Sequence, residues 1–186
     1  MSDDEQRVQE AAAEFMRTVP VQDVIVSMVQ TVFDVGYHRT GLIEGGDQRD
    51  LAQTALAIET VRALLPVLER VLGPAYPDTL AARHELARWT GEAGDPAAAR
   101  DQFAALLPVR ERVSGPEHPD TLAARHELAG WTGQAGNPAA ARDLFAGLLP
   151  VLERVLGPVH PHSLIARHQL ASWTESADSG PNAGVK

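Results

Sequence analysis

A chain of 186 residues with 44% hydrophobic side chains is long enough for one ordinary core or a short array, and its formal net charge of −9 gives it no general attraction for a phosphate backbone. It has no cysteine, which removes disulfides, thiolate metal sites and a cysteine nucleophile; its sole lysine is Lys186, which removes Schiff-base chemistry and a P-loop lysine. No apolar run approaches the roughly 20 residues that a spanning helix needs, so the expected setting is cytoplasmic, with neither nucleic acid nor membrane as partner.

Residues 1–60 hold 11 acidic and 4 basic side chains, so −7 of the −9 lies there. The first 47 residues are expected to form a nonrepeating, acidic helical segment. It reads as a short helix from Asp4 to Arg17 and a strongly apolar one from Val21 to Tyr37, separated at Val19-Pro20.

From Leu64 the chain repeats itself. The 42 residues from Leu64 to Ala105 and the 42 from Leu106 to Gly147 differ at nine positions, and a third copy starts at Leu148. A fixed period of this size predicts units that bury their apolar faces on one another. In each unit a first helix, A, starts at a proline (Pro77, Pro119, Pro161), where the missing N–H costs no helical bond. Asp78 and Asp120 follow where the helix dipole favours negative charge. Helix A ends near Gly94 and Gly136, and Asp95-Pro96 and Asn137-Pro138 supply a cap and first-turn proline for a second helix, B. Helix B stops at Gly115-Pro116 and Gly157-Pro158. One period back from Trp89 lies Asp47, in a segment unsuited to helix A, so the first unit has only its helix B, from about Gln48 to Leu72. The array therefore reads B, A–B, A–B, A over residues 48–177, with 178–186 as a disordered tail.

On a 100° wheel, Leu80, Ala82, Leu86, Ala87, Trp89, Thr90 and Ala93 fall on the packing side of helix A. Helix B should pack through Ala99, Phe103, Leu106, Leu107 and Val113, with Pro66, Pro108 and Pro150 projecting on its far side. Arg110 occupies a stripe position that Leu68 and Leu152 hold in the other copies, which predicts a looser or exposed site in the middle unit.

Leu86-Ala87, Gly94, Ala99, Phe103 and Leu106-Leu107, and their counterparts 42 residues on, have the spacing of a tetratricopeptide repeat. The connector "RVLGPxHPDTL" resembles the long variety found in kinesin light chains, and "LAxWxGxAGDPAAA" resembles arrays attached to actinobacterial signalling ATPases and regulators. Residues 12–42, followed by 50–64, are distantly similar to a small bacterial domain of unknown function. The resemblance implies an all-α, right-handed α-solenoid of antiparallel helix pairs with a nonrepeating helical cap. It also implies that helix A lines a groove receiving a protein or peptide.

Under that resemblance the wall positions are Ala81, His84, Arg88 and Glu92, then Ala123, His126, Gly130 and Gln134, then Ile165, His168, Ser172 and Ser176. His84, His126 and His168 would form a ladder of imidazoles, while positions 88/130/172 and 92/134/176 vary between copies. Arg83, Arg125 and Arg167 lie within the apolar arc of helix A and must be paired, with Glu69, Glu111 and Glu153 of helix B as the expected partners in structural ion pairs. His160, His162 and His168 lack metal-ligand spacing, so no metal or other cofactor is expected, and no catalytic residue is assigned.

The leading expectation is a protein-interaction or scaffold module rather than an enzyme. Two rivals stand beside it: homo-oligomerisation through the last helix A, which has no helix B after it, or through the apolar Val21 to Val35 helix, and small-ligand binding or catalysis by the groove histidines.

Overall fold

The computed structural model describes residues 48–179, with side chains from residue 58 onward. These residues form six helices: α1 (Gln48–Val71), α2 (Pro77–Glu92), α3 (Pro96–Ser114), α4 (Pro119–Gln134), α5 (Pro138–Leu156) and α6 (Pro161–Asp178). The described residues form an all-α helical repeat, in which α2, α4 and α6 are the A helices and α1, α3 and α5 the B helices. The expected segment 1–47 and most of the expected tail lie outside the described residues.

Two compact units divide between Thr79 and Leu80. In the first, α1 carries a buried stripe of Ile58, Val61 and Leu68, and Pro66 is exposed. The helix runs through Pro66, as α3 and α5 run through Pro108 and Pro150.

In the second unit each boundary has a local cause. The Asp95 side chain accepts the Ala98 N–H at 2.9 Å and Asn137 accepts that of Ala140 at 3.1 Å, which satisfies donors that the first turn of a helix leaves free. The A helices are capped differently: His118 Nδ1 accepts the Asp120 N–H and His160 Nδ1 accepts that of His162. At the other end, Gly115 and Gly157 stop α3 and α5 with φ of 98° and 102°, a region that disfavours side chains.

The core is one cluster written twice. Leu80, Ala87, Phe103, Leu106, Ala124 and Trp131 pack together, and Leu122, Ala129, Phe145, Leu148, Ala166 and Trp173 do the same 42 residues later. Between successive A helices the contact is glycine against tryptophan: the Trp131 ring occupies the space beside Gly91, and the Trp173 ring that beside Gly133.

Two stripe assignments are corrected. Ala93 is exposed, because α2 ends at Glu92, and Val113 is 45% exposed, in the last turn before the chain leaves the packed layer at Gly115. A third correction has more consequence: Arg110 is neither loose nor exposed but 6% accessible, held by partners on two helices.

Candidate binding surface

The wall of α2 carries one fixed charge cluster. Arg88 donates through Nε and Nη2 to Glu85 at 3.0 and 2.7 Å and through Nη1 to Glu92 at 2.5 Å, all within one face of the helix. These bonds hold the guanidinium charged and push its pKa up, against the opposing effect of burial. On α4 the equivalents of Arg88 and Glu92 are Gly130 and Gln134, and Glu127 instead accepts the Trp131 indole N–H at 2.9 Å. Burial raises the Glu127 pKa and that hydrogen bond counteracts it. On α6 the corresponding positions, Ser172 and Ser176, are exposed.

The three histidines of the expected ladder do not share one surface. His84 meets Phe103 edge-on with ring centroids 5.0 Å apart, and His126 meets Phe145 in the same way at 5.2 Å, so both rings are wedged into the seam between an A helix and its B helix. Burial is the largest influence on each and lowers both pKa values; for His84, helped by Arg110 and Arg88 and opposed by Asp120, the value falls to about 4. His168 is exposed.

Arg125 donates to Glu111 at 2.6 Å and Arg167 to Glu153 at 2.5 Å, each joining an A helix to the B helix before it. Glu69 belongs to the first unit and Arg83 to the second. Among the described residues no three His, Asp or Glu side chains gather as a metal site, and no helix is long and apolar enough to cross a membrane.

One feature was not singled out by sequence reasoning. It is a cleft of about 440 Å³ lined by Pro119, Asp120, Leu122, Ala123 and His126 of α4, Leu152 and Leu156 of α5, and His160 and His162 at the start of α6. Its signal was present in the third copy, where Leu152 replaces Arg110 and His162 replaces Asp120. The side of α6 that the sequence offered for self-association is exposed at Leu164, while Leu170 and Trp173 pack against the core. Leu164 and Ile165 are 46% and 47% exposed, whereas Leu80 and Leu122, the counterparts of Leu164, are 3% and 2% exposed.

A family profile described as tetratricopeptide repeat matches residues 92–146, from the end of α2 to the middle of α5. That stretch, one full repeat period and its flanks, is similar to the tetratricopeptide repeat. Two crystal structures of nearly identical TPR-like repeats, from a Podosopora anserina protein named as a candidate kinesin light chain, share the fold. One superposes with a TM-score of 0.68 at 23% identity, covering 82% of this chain and 68% of that one. The other, a point variant of the same repeats, gives 0.60 at 21% identity, covering 94% and 87%. No curated protein matches the chain by sequence.

Ala123 and His126, which the resemblance places on the expected wall, both line the cleft. The A-helix positions expected to form a wall thus comprise the salt-bridged Arg88 and the neutral Gly130 and Gln134, and the cleft lies at the junction of the last two copies.

Proposed function

We propose that the A-helix wall of the second unit receives an extended peptide or a partner's helix. Tetratricopeptide repeats serve generally as protein-interaction modules, so the chemistry sought is binding rather than turnover. The observation that carries the reading is the cleft: about 440 Å³, lined by two wall positions, with leucine and alanine walls beside a few polar groups. Pockets of this make-up bind through apolar contact and take their orientation from the polar groups. Arg88, tied to both Glu85 and Glu92, offers a charge that needs no ordering on binding.

Peptides selected from a random display library on the full chain test this. Their affinities would be compared with those for a Gly130→Arg/Gln134→Glu variant, which repeats on α4, beside Glu127, the cluster already present on α2; a β-carbon at Gly130 meets nothing within 4 Å. The expected result is enrichment of peptides whose affinity changes at least about five-fold in the variant. No enrichment, or affinities that ignore the variant, would overturn the reading.

Self-association is a second reading, favoured by the exposure of Leu164 and Ile165 where preceding copies bury the equivalent of Leu164. The covered face continues from α2 and α4 to α6, and a helix from a second copy would extend it. Light scattering across a dilution series, with Leu164→Glu as control, decides: a monomer at high micromolar concentration removes it.

A further inference from the structure

We propose that the cleft of the last copy is an arginine socket, which takes the guanidinium of an arginine carried by the bound peptide. The inference deepens the wall-binding reading and rests on it for the source of that arginine. Its basis is that the protein already contains the same site in filled form.

Shifting the cleft back by 42 residues turns Leu122, Ala123, His126, Leu152, His160 and His162 into Leu80, Ala81, His84, Arg110, His118 and Asp120. In that earlier copy the space is occupied from within. Arg110 reaches from α3, its Nη2 donating to the Leu80 carbonyl oxygen at 3.2 Å and its Nη1 lying 3.2 Å from Asp120 Oδ2. In the last copy Leu152 stands at the root position of Arg110. A leucine side chain stops short of where a guanidinium would reach, and the open cleft remains. Its volume is at the small end of the roughly 300–1,000 Å³ range of ligand pockets, which suits an inserted side chain.

What lines the cleft is matched to a planar cation. The Leu122 carbonyl holds the place of the Leu80 acceptor. Asp120 lines the cleft as well as pairing with Arg110, so an arginine entering here would sit on the other side of the same carboxylate. The rings of His160 and His162 are stacked, with centroids 5.3 Å apart and planes at 15°, and offer the flat π surface on which guanidinium groups stack. Leu122, Leu152 and Ala123 would cover the aliphatic stem. The overall charge of −9 draws a cationic segment toward the molecule.

An anion is less well served. The amide at the start of α6 that would attract one is taken, since His160 Nδ1 accepts the His162 N–H, and His118 does the same for Asp120. His126 is held toward its neutral form by burial and by the neighbouring His162.

The test uses the full chain and three probes, the N-acetyl amides of arginine, lysine and glutamate, followed by the ring-proton resonances of the histidines up to tens of millimolar. The expected result is saturable shifts at His126, His160 and His162 but not at His168. The arginine probe should bind at least about five-fold more tightly than lysine, and glutamate should leave these resonances unmoved. A Leu152→Arg/His162→Asp variant should lose the response while keeping its thermal transition, since that pair already folds 42 residues earlier. A Leu152→Arg change alone lacks a carboxylate at position 162, the counterpart of the Asp120 that pairs with Arg110, which is why the double variant is used. No saturable arginine shift, a glutamate response as strong, or a response that survives in the folded double variant would each overturn the socket. The two proposals fail separately: peptides enriched without an arginine requirement sink the socket and leave the wall reading intact, whereas arginine shifts with no enriched peptide sink the wall reading and leave the socket as a pocket.

Discussion

The indole of Trp131 fills the space that a side chain at Gly91 would need: a β-carbon there would lie 2.5 Å from both Cη2 and Cζ3 of the ring. Gly133 and Trp173 repeat the relationship at 2.6 Å. Successive A helices therefore approach one another through a glycine on one and a tryptophan on the next, and the repeat is as much a packing rule as a sequence pattern.

Replacing Gly133 with alanine forces the Trp173 ring out of its seat. Overpacking costs about 1–3 kcal/mol, of which the better helix propensity of alanine returns up to about 1. Gly130→Ala, three residues earlier and in open space, keeps only the gain. Urea denaturation should show the first variant less stable than the parent and the second equal or more stable. Equal effects would refute the Gly–Trp seat.

Stability should depend on pH through His84. Its folded pKa is about 4, against 6.5 for the ordinary group, so between those values the unfolded chain binds a proton that the folded chain refuses. The contribution is complete above pH 6.5, declines as the pH falls toward 4 and is constant below that. Between pH 7 and 5 the loss from this group amounts to about 2 kcal/mol. Comparison of the parent with His84→Gln by denaturant titration at the two pH values isolates it, and an identical pH dependence in both would remove His84 as the cause.

Arg110 has a buried Nε with no hydrogen-bond partner, and burial is the largest influence on its pKa, pulling it down. A buried charge of this kind is often replaceable by an apolar residue at no cost. Arg110→Leu, which installs the residue found at positions 68 and 152, is expected to change stability by less than about 1 kcal/mol or to raise it. Asp120→Ala leaves the guanidinium without its carboxylate and should cost about 1–2 kcal/mol, discounted because Asp120 is 63% exposed. The double variant should lose less than the sum, and strict additivity in a double-mutant cycle would show that the pair does not interact.

The helix B caps offer a smaller effect. Asn137→Ala removes the acceptor for the Ala140 N–H and should lower stability by about 1 kcal/mol. Asn137→Asp, the residue that caps α3 at position 95, should be tolerated. Melting curves of the two variants check this, and equal losses would refute the capping role.

The tetratricopeptide spacing and the helix starts at Pro96, Pro119, Pro138 and Pro161 were legible because a proline, an Asx cap and a turn glycine each act within a few residues of chain. The wall was legible in part. Arg88 and Glu92 could be placed on it, but their mutual pairing and the engagement of Glu85 emerge from rotamers on the folded helix. The histidine at 84 and 126 reads as a wall residue on a wheel. Its burial depends on Phe103 and Phe145 arriving from the next helix, which no single-helix projection contains.

What the sequence by itself determined, then, is the 42-residue period, the helix ends from Pro96 onward and the tetratricopeptide character, because each is specified by local chain conformation repeated in register. What only the tertiary structure decided is which copies are filled and which are open. Arg110 is buried because Leu80, 30 residues away, presents a carbonyl and Asp120 a carboxylate. The cleft beside His160 exists because Leu152 in the next copy is too short to do the same. Such differences depend on side chains from separate helices meeting across a packed seam, a relation that a repeat read one helix at a time does not contain.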